Sequence, residues 1–300
     1  MQKLADIIQK NNTFVNEECC RLFHGRGKKW SEFSHLSIDW YPPTILITTY
    51  KEISNEEKLL LVEIIKSIEN LQYRNILLQK RYLKGELVEV LIGDIEENSL
   101  AVENLEKYKL NLNNPQNIGF FLDMKNGRQW IRKNSQNKSV LNLFSYTCSL
   151  SVAALKGGAL EVINVDMSKS SLSTGEQNHI INNVNGKAKF IPYDIMSSFA
   201  NLKRKGPFDL VIIDPPTNQG DSFKVERDYH KIVRKLNEMT KQGALIMACL
   251  NSPFLKADYL YKLFNQHATD FSPLESVNSS FHEMELNPEE GLKILIFKKN

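Results

Sequence analysis

The stretch FDLVIIDPPTNQG, Phe208 to Gly220, ends an apolar run in an acid followed by two prolines. Its five apolar residues, interrupted only by Asp209, predict a strand buried on both faces, the kind found inside a parallel sheet. Asp214 then stands at the carboxyl end of that strand. Pro215 and Pro216 cannot donate ladder hydrogen bonds and fix their own φ, so the pair stiffens the exit loop. Open α/β sheets take their ligands at such strand ends.

Around that stretch, from Pro115 onward, strand-like and helix-like segments alternate. VLNLF, EVINVD, AKFIPYD, DLVIID and ALIMAC read as strands; SLSVAALKG, SKSSLSTGEQNHIINN, RDYHKIVRKLNEM and FLKADYLYKLFNQ read as helices, with a further short helix before DLVIID. This spacing predicts βαβ units and an α/β fold with a mainly parallel sheet, closed by KILIFKK as a late antiparallel edge strand. Residues 1–114 follow another rhythm, that of a small α+β domain. A first helix is followed by LSIDWY and TILITTY around Pro42 and Pro43, then by a helix opened by a capping box of Ser54 and Glu57. The β-like runs RNILLQKRY, ELVEVLIG and VENLEKYKLNL complete it. Asn113, Asn114 and Pro115 mark the expected boundary between domains 1–114 and 115–300.

Hydrophobic residues are 42% and charged residues 24% of the chain, a balance that excludes fibrous and largely disordered classes. No run approaches the ~18 apolar residues of a membrane span. The start MQKLADIIQKNN lacks the features of a secretion signal, so a cytoplasmic protein is expected. Cys19, Cys20, Cys148 and Cys249 show no C-x-x-C pairing with histidines at zinc spacing, so neither a metal site nor a disulfide framework is expected. A net charge of +3 tolerates a polyanionic partner without demanding one.

The residue after each strand carries the functional signal. SYTCS follows VLNLF, Asp166 follows EVINV, Asp194 follows AKFIPY, and Asp214 follows DLVII. Asp166 lies 22 positions beyond Phe144, near the offset at which an acid meets the ribose hydroxyls of a nucleoside bound over the first strand. A carboxylate accepts two hydroxyl donors, which suits that task. Asp194 falls where an adenine amine would sit. Any one of these acids could instead cap the next helix; three in register at successive strand ends point to a ligand. The first turn, S-Y-T-C-S-L, lacks the glycines of a phosphate loop, which argues against a dinucleotide dehydrogenase and for a nucleoside without phosphates, such as S-adenosylmethionine.

Taken together, GFFLDMKNGR, SVLNLFSYTCSLSVAALKGGA, VDMSKSSL with Asn178 and Asn182, and VIIDPPT followed by VERDYHKI resemble the class I S-adenosylmethionine-dependent methyltransferases of bacterial 23S ribosomal RNA. The closest branch methylates cytosine C5 or guanine N7. The resemblance covers most of residues 20–300, including RLFHGRG. It implies a Rossmann-like catalytic domain with a seven-stranded sheet, S-adenosylmethionine as cofactor, RNA as partner, and no metal or membrane. It also implies that Asn142, Phe144, Ser145, Tyr146 and Thr147 border the methionine moiety. Asp166, with Met167 and Ser168, would hold the ribose, and Asp194, with Ile195, the adenine. Asp214, Pro215 and Pro216 would form the transfer site. Asp123, Lys125 and Arg128 would belong to a lid over cofactor and RNA. Read from its own position beside Asp228 at the start of a helix, Arg227 could reach a phosphate or form an ordinary solvated ion pair. The chain departs from the pattern at Cys148, where glycine is usual and the space beside the methionine moiety is expected to narrow, and at Lys125, where arginine is usual.

Methylation of cytosine C5 needs a nucleophile on C6, normally a thiolate. Cys249 is the candidate, but the thiol of the cytosine enzymes aligns with Leu250, and a one-residue slip on a strand turns the side chain to the opposite face. Guanine N7 presents a lone pair and needs only positioning, so N7 is the slightly favoured target. Thr217 stands where amino-methyltransferases carry an aromatic, which demotes exocyclic amines. Arg21, Arg26, Lys28 and Lys29, interleaved with Trp30 and Phe33, could contact RNA or could be a surface loop over a small core. The alternatives are a small-molecule methyltransferase of the same fold and a non-catalytic RNA-binding protein with a degenerate cofactor site.

Overall fold

A computed structural model describes residues 2–12, 18–86, 88–220 and 222–300; Leu87, inside the run ELVEVLIG, lies outside them. The chain divides into two compact units, Met1–Leu122 with Glu283–Leu286, and Asp123–His282 with Asn287–Asn300. The turn at Asn113–Pro115 lies within the first unit.

In the first unit, helix α1 (Gln2–Asn12) precedes β1 (Cys20–His24), β2 (Leu36–Tyr41), β3 (Thr44–Thr49), α2 (Asn55–Lys66), β4 (Asn75–Lys80) and β5 (Glu89–Ile92). These strands form one sheet in sequence order, antiparallel except for the β3–β4 pair that α2 connects. The capping box forms as read: Ser54 Oγ accepts from Glu57 N at 3.1 Å and Glu57 Oε2 from Ser54 N at 2.7 Å, satisfying two orphan donors of α2. One sheet face packs Ile38, Ile45, Ile47, Ile76 and Leu78 against Leu61, Ile64 and Ile65 of α2 and Leu4 and Ile8 of α1. VENLEKYKLNL supplies a small hairpin, β6 (Leu100–Glu103) and β7 (Glu106–Lys109).

The second unit contains α3 (Lys125–Asn134), β8 (Ser139–Leu143), α4 (Ser149–Lys156), β9 (Glu161–Val165), α5 (Lys169–Ile181), β10 (Ala188–Ile191), α6 (Phe199–Lys203) and β11 (Phe208–Ile213). A short hairpin, β12 (Asn218–Gln219) and β13 (Phe223–Lys224), leads into α7 (Val225–Val233), α8 (Leu236–Met239), β14 (Thr240–Asn251), α9 (Ala257–His267), β15 (Phe271–Asn278) and β16 (Leu292–Lys299). The sheet order is β10-β9-β8-β11-β14-β16-β15, with only β16 running against its neighbours. KILIFKK is therefore antiparallel but lies one strand in from the edge. The edge is β15, FSPLESVN, which is mostly exposed and carries Pro273. Proline and polar side chains are tolerated at a sheet edge, and they remove the apolar alternation by which a strand is recognised.

Both faces of the sheet are covered. Leu141, Leu143, Val211 and Ile213 point into a core with α7 and α9, whereas Val140, Leu210, Ile212 and Cys249 point into a core with α3 and α4. Going outward from β8, the chain order reverses on its two sides, so the carboxyl ends of β8 and β11 border the crevice at a topological switch point.

Candidate active site

The turn after β8 is built from residues that rarely adopt its conformation. Phe144, Tyr146 and Cys148 have φ of 57°, 47° and 63°, left-handed values usually left to glycine. Hydrogen bonds over-determine the turn: Ser145 N donates to Val165 O at 3.1 Å, Cys148 N to Ser145 O at 2.7 Å, and Asn178 Nδ2 to Thr147 O at 2.9 Å. Backbone strain of this kind persists only where the surroundings hold it, and it clusters at ligand sites. Cys148 turns its thiol toward α5, where a Cβ added to Gly175 would lie 2.5 Å from Cys148 Sγ and 3.1 Å from its Cβ. The missing side chain at Gly175 makes room for the extra one at Cys148. The thiol is fully buried, which pushes its pKa up and leaves it unreactive. The narrowing expected from Cys148 is thus taken up beneath the turn, against α5.

A buried polar chain holds the same layer together. Asn142 Nδ2 donates to Asn164 Oδ1 at 3.0 Å and Asn164 Nδ2 to Ser151 Oγ at 3.0 Å. Ser151 Oγ meets His179 Nε2 at 2.8 Å, while His179 Nδ1 reaches Gly175 O at 2.7 Å. Burial lowers the His179 pKa, so the ring is neutral, with its proton on Nδ1 toward the carbonyl. β8, β9, α4 and α5 are thereby fixed relative to one another. Asn142 is 1% exposed and belongs to this chain of bonds rather than to the crevice lining.

Asp166 sits at the end of β9. Its Oδ2 accepts from Tyr146 N at 2.9 Å and its Oδ1 from Ser168 N at 2.8 Å, so one carboxylate joins the β8 turn to the start of α5. Ser168 caps that helix through Ser171 N. Asp194, at the end of the β10 segment, accepts from Met196 N at 3.0 Å. Phe144, Asp166, Met167, Asp194 and Ile195 line one small crevice together with Tyr193, Met196, Gln219, Ser222 and Phe223. The last five were not legible as site residues. Gln219, Ser222 and Phe223 come from the β12–β13 hairpin that folds back over the crevice, with the Phe223 and Phe144 ring centroids 4.9 Å apart. Only the turn-forming run NQGDS, residues 218–222, hints at that fold-back.

The residues fit an adenosine carrying an amino-acid tail. Each oxygen of Asp166 keeps a lone pair beyond its backbone bond, much of the wall is aromatic and aliphatic, and the N–H groups of Ser145, Tyr146 and Cys148 in the turn are engaged within the protein rather than left for a phosphate. Asn142 Oδ1, near the carboxyl end of β8, is a buried polar atom without a hydrogen-bond partner, whereas the buried Ser145 hydroxyl meets the Cys148 thiol.

The end of β11 differs in character. Asp214 is half-buried at the end of β11, and burial together with nearby Asp123 pushes its pKa up to about 7, against the opposing influence of Arg128. Arg128 is 2% exposed on α3, and Asp123 immediately precedes that helix, which Lys125 opens. Tyr229, fully buried on α7, donates to Cys249 O at 3.2 Å and lies 3.5 Å from Ile213 O, tying the ends of β14 and β11. The Thr217 hydroxyl donates to Asn251 O, so the loop after Pro215 and Pro216 is anchored to the end of β14.

Cys249 is fully buried in the α3–α4 core, and burial together with the carboxylates of Asp214 and Asp123 raises its pKa well above that of a free thiol. These are the opposite of the conditions that make a thiolate nucleophile. Arg227 is engaged by Asp228, Nη2 to Oδ2 at 2.6 Å; that bond, with those from Lys231 and Lys224 N, holds the buried Asp228 far below the usual carboxylate range. In the first unit, Arg21 makes a two-pronged contact with Asp39 at 2.6 and 2.9 Å, and Trp30 and Phe33 pack on Phe23. Arg21 is thus engaged by Asp39, and Trp30 and Phe33 are half-buried against the unit's core. Among the described residues no helix is long and apolar enough to cross a membrane, and no group of three or more His, Cys, Asp or Glu side chains could hold a metal ion.

A doubly wound sheet with an acid-lined crevice at its switch point places the chain among the α/β proteins that take their ligands at strand ends. The profile of the S-adenosylmethionine-dependent methyltransferases matches residues 20–298, and the chain belongs to that family. Ribosomal RNA large subunit methyltransferase K/L of Alteromonas mediterranea is 30% identical over 255 residues, which cover 81% of this chain and 36% of that protein. The protein of the same name in Psychrobacter arcticus is 40% identical over 136 residues, 42% of this chain and 17% of its own length. The chain thus spans about a third or less of these relatives. Among solved structures, a candidate S-adenosylmethionine-dependent methyltransferase from Streptococcus mutans is 25% identical with a TM-score of 0.86, covering 99% of this chain and 81% of that one. SMU.776, solved with S-adenosylhomocysteine, shares the fold at a TM-score of 0.87 and 24% identity, with the same coverage of each chain.

Proposed function

We propose that this methyltransferase modifies a base of large-subunit ribosomal RNA, with guanine N7 favoured over cytosine C5, and that it works in the cytoplasm. The observation that carries the reading is the crevice in which Phe144, Asp166, Met167, Asp194 and Ile195 meet at successive strand ends, with Asp214 at the adjoining transfer end. The large-subunit ribosomal RNA named for the K/L relatives supports the substrate class.

In this reading Asp166, with Met167 and Ser168, takes the ribose, and Asp194 with Ile195 the adenine. Phe144 to Thr147 border the methionine moiety. When bound, S-adenosylmethionine supplies an electrophilic methyl group: a lone pair of the target attacks the methyl carbon as the carbon–sulfur bond breaks and its electrons pass to sulfur. The chain's part is placement and electrostatics. Attack by guanine N7 leaves a cationic base, and Asp214, carried on a loop stiffened by Pro215 and Pro216, places a carboxylate where that charge develops. Asp123 and Arg128 set the charge state of Asp214, and Lys125 and Arg227 lie on the elements that flank the substrate side. The first unit, expected as domain 1–114, contributes RNA contacts through Arg26, Lys28 and Lys29 rather than Arg21. The burial of Cys249 and its raised pKa favour N7 over the thiol-dependent C5 route.

The test is mass-spectrometric mapping of ribosomal RNA from cells lacking the protein, alongside calorimetric titration of the purified chain with S-adenosylmethionine. One missing base methylation and a saturable heat are expected. An unchanged modification map would reject the RNA reading, and no heat would reject the cofactor site.

A further inference from the structure

The loop from Ser252 to Lys256, between β14 and α9, displays Phe254 at 87% exposure, against 45% for Phe121 and 37% for Tyr193 among the other exposed aromatics. A lone exposed apolar side chain is ordinary. Here the loop that carries it is held on both sides. Ser252 is 1% exposed; its Oγ accepts from Phe254 N at 3.3 Å, and its carbonyl accepts from the buried Lys293 Nζ. Lys293 donates also to Glu289 O at 2.9 Å, and Glu289 Oε2 accepts from Ala257 N at 2.8 Å, closing the far end of the loop. A rigid loop that forfeits the burial a phenylalanine normally gains is built for display.

Its position gives the display a use. β14 runs parallel to β11, with Ala248 opposite Ile213, so the loops beyond the two strands leave the sheet side by side. The Thr217 hydroxyl bonds Asn251 O and ties them together. The loop from Asp214 to Thr217 carries no aromatic ring, whereas its neighbour carries Phe254. Unstacked RNA bases bind aromatic rings face to face, and a ring fixed in advance loses little freedom when a base lands on it. We propose that Phe254 is a substrate-binding platform on which an unpaired nucleobase of the RNA stacks at the transfer end; this rests on the RNA reading above.

The test uses the full chain, large-subunit rRNA transcribed in vitro and S-adenosylmethionine labelled in its methyl group. Phe254→Ala should lower kcat/KM for RNA by about ten- to a hundredfold, the range expected for losing one base–aromatic stack, mainly through KM. The Kd for S-adenosylmethionine and the melting temperature should stay at wild-type values, and Phe254→Tyr should retain activity. Phe254→Trp should place an indole in the site whose fluorescence is quenched when RNA is added. Wild-type kcat/KM in Phe254→Ala would overturn the proposal while leaving RNA methylation standing, and so would an unquenched indole in an active Phe254→Trp enzyme. A wild-type chain that binds S-adenosylmethionine but labels no RNA would overturn the substrate reading and this role with it.

Discussion

In the proposed reading, the nucleoside and transfer ends of the site hold their carboxylates in opposite ways. At the nucleoside end, Asp166 and Asp194 accept backbone N–H groups, which fix the oxygens and leave lone pairs over. At the transfer end, Asp214 is half-buried near another acid, Asp123, and its pKa rises to about 7. In that reading the difference follows from what each group meets. A hydroxyl or amine is neutral, so the carboxylate that binds it is best kept charged and oriented by dipoles already in the fold. A base that becomes cationic brings its own positive charge. The acid facing it is compensated by that charge as it develops.

The largest effect expected of a single change is at Asp214. Asp214→Asn should reduce methyl transfer by about a hundredfold or more, the scale of losing one electrostatic group at the reacting centre, while changing S-adenosylmethionine binding little. Wild-type turnover should rise with pH through about 7 as Asp214 ionises. Stability moves the other way. The folded pKa lies above the unfolded value of 3.8, so between about 4 and 7 the native state holds a proton that the unfolded chain has released, and stability falls as pH rises through that window. Melting temperatures recorded across it should lose this slope in Asp214→Asn.

Asp166→Ala should act on the other half of the comparison, raising the Kd for S-adenosylmethionine by about ten- to a hundredfold through the loss of charge-assisted hydrogen bonds. Calorimetry at fixed pH reads it directly, and equal losses of affinity in Asp166→Ala and Asp214→Asn would erase the distinction between the two ends. Smaller is the effect of Gly175→Ala, whose new methyl group meets Cys148 Sγ at 2.5 Å. Overpacking there should cost about 1–3 kcal/mol in denaturant unfolding, and Cys148→Gly in the same chain should restore much of it, since the glycine is then only moved across the contact. Cys249→Ala should cost about 1 kcal/mol of stability and leave methylation intact; abolished methylation with the fold preserved would return the C5 route.

Much of this was readable in the sequence. The apolar run before Asp214, the capping box at Ser54 and the acids after successive strands each report a local physical demand, and the residues that meet it adjoin in the chain. What escaped depends on pairs distant in sequence. Nothing near Cys148 announces Gly175, and the fold-back that brings Phe223 over Phe144 rests on two-residue strands too short to show a period. β15 escaped because an exposed edge needs no apolar face. Arg21 read as an available cation, yet Asp39, eighteen residues away on the paired strand, holds it with two bonds.

A crystal structure of the chain with S-adenosylhomocysteine would test the central claim most directly. The ribose hydroxyls should lie within hydrogen-bond distance of the Asp166 carboxylate and the adenine between Ile195 and the Phe144–Phe223 pair, with the sulfur directed toward Asp214. A nucleoside bound away from these strand ends, or one whose ribose does not touch Asp166, would contradict it.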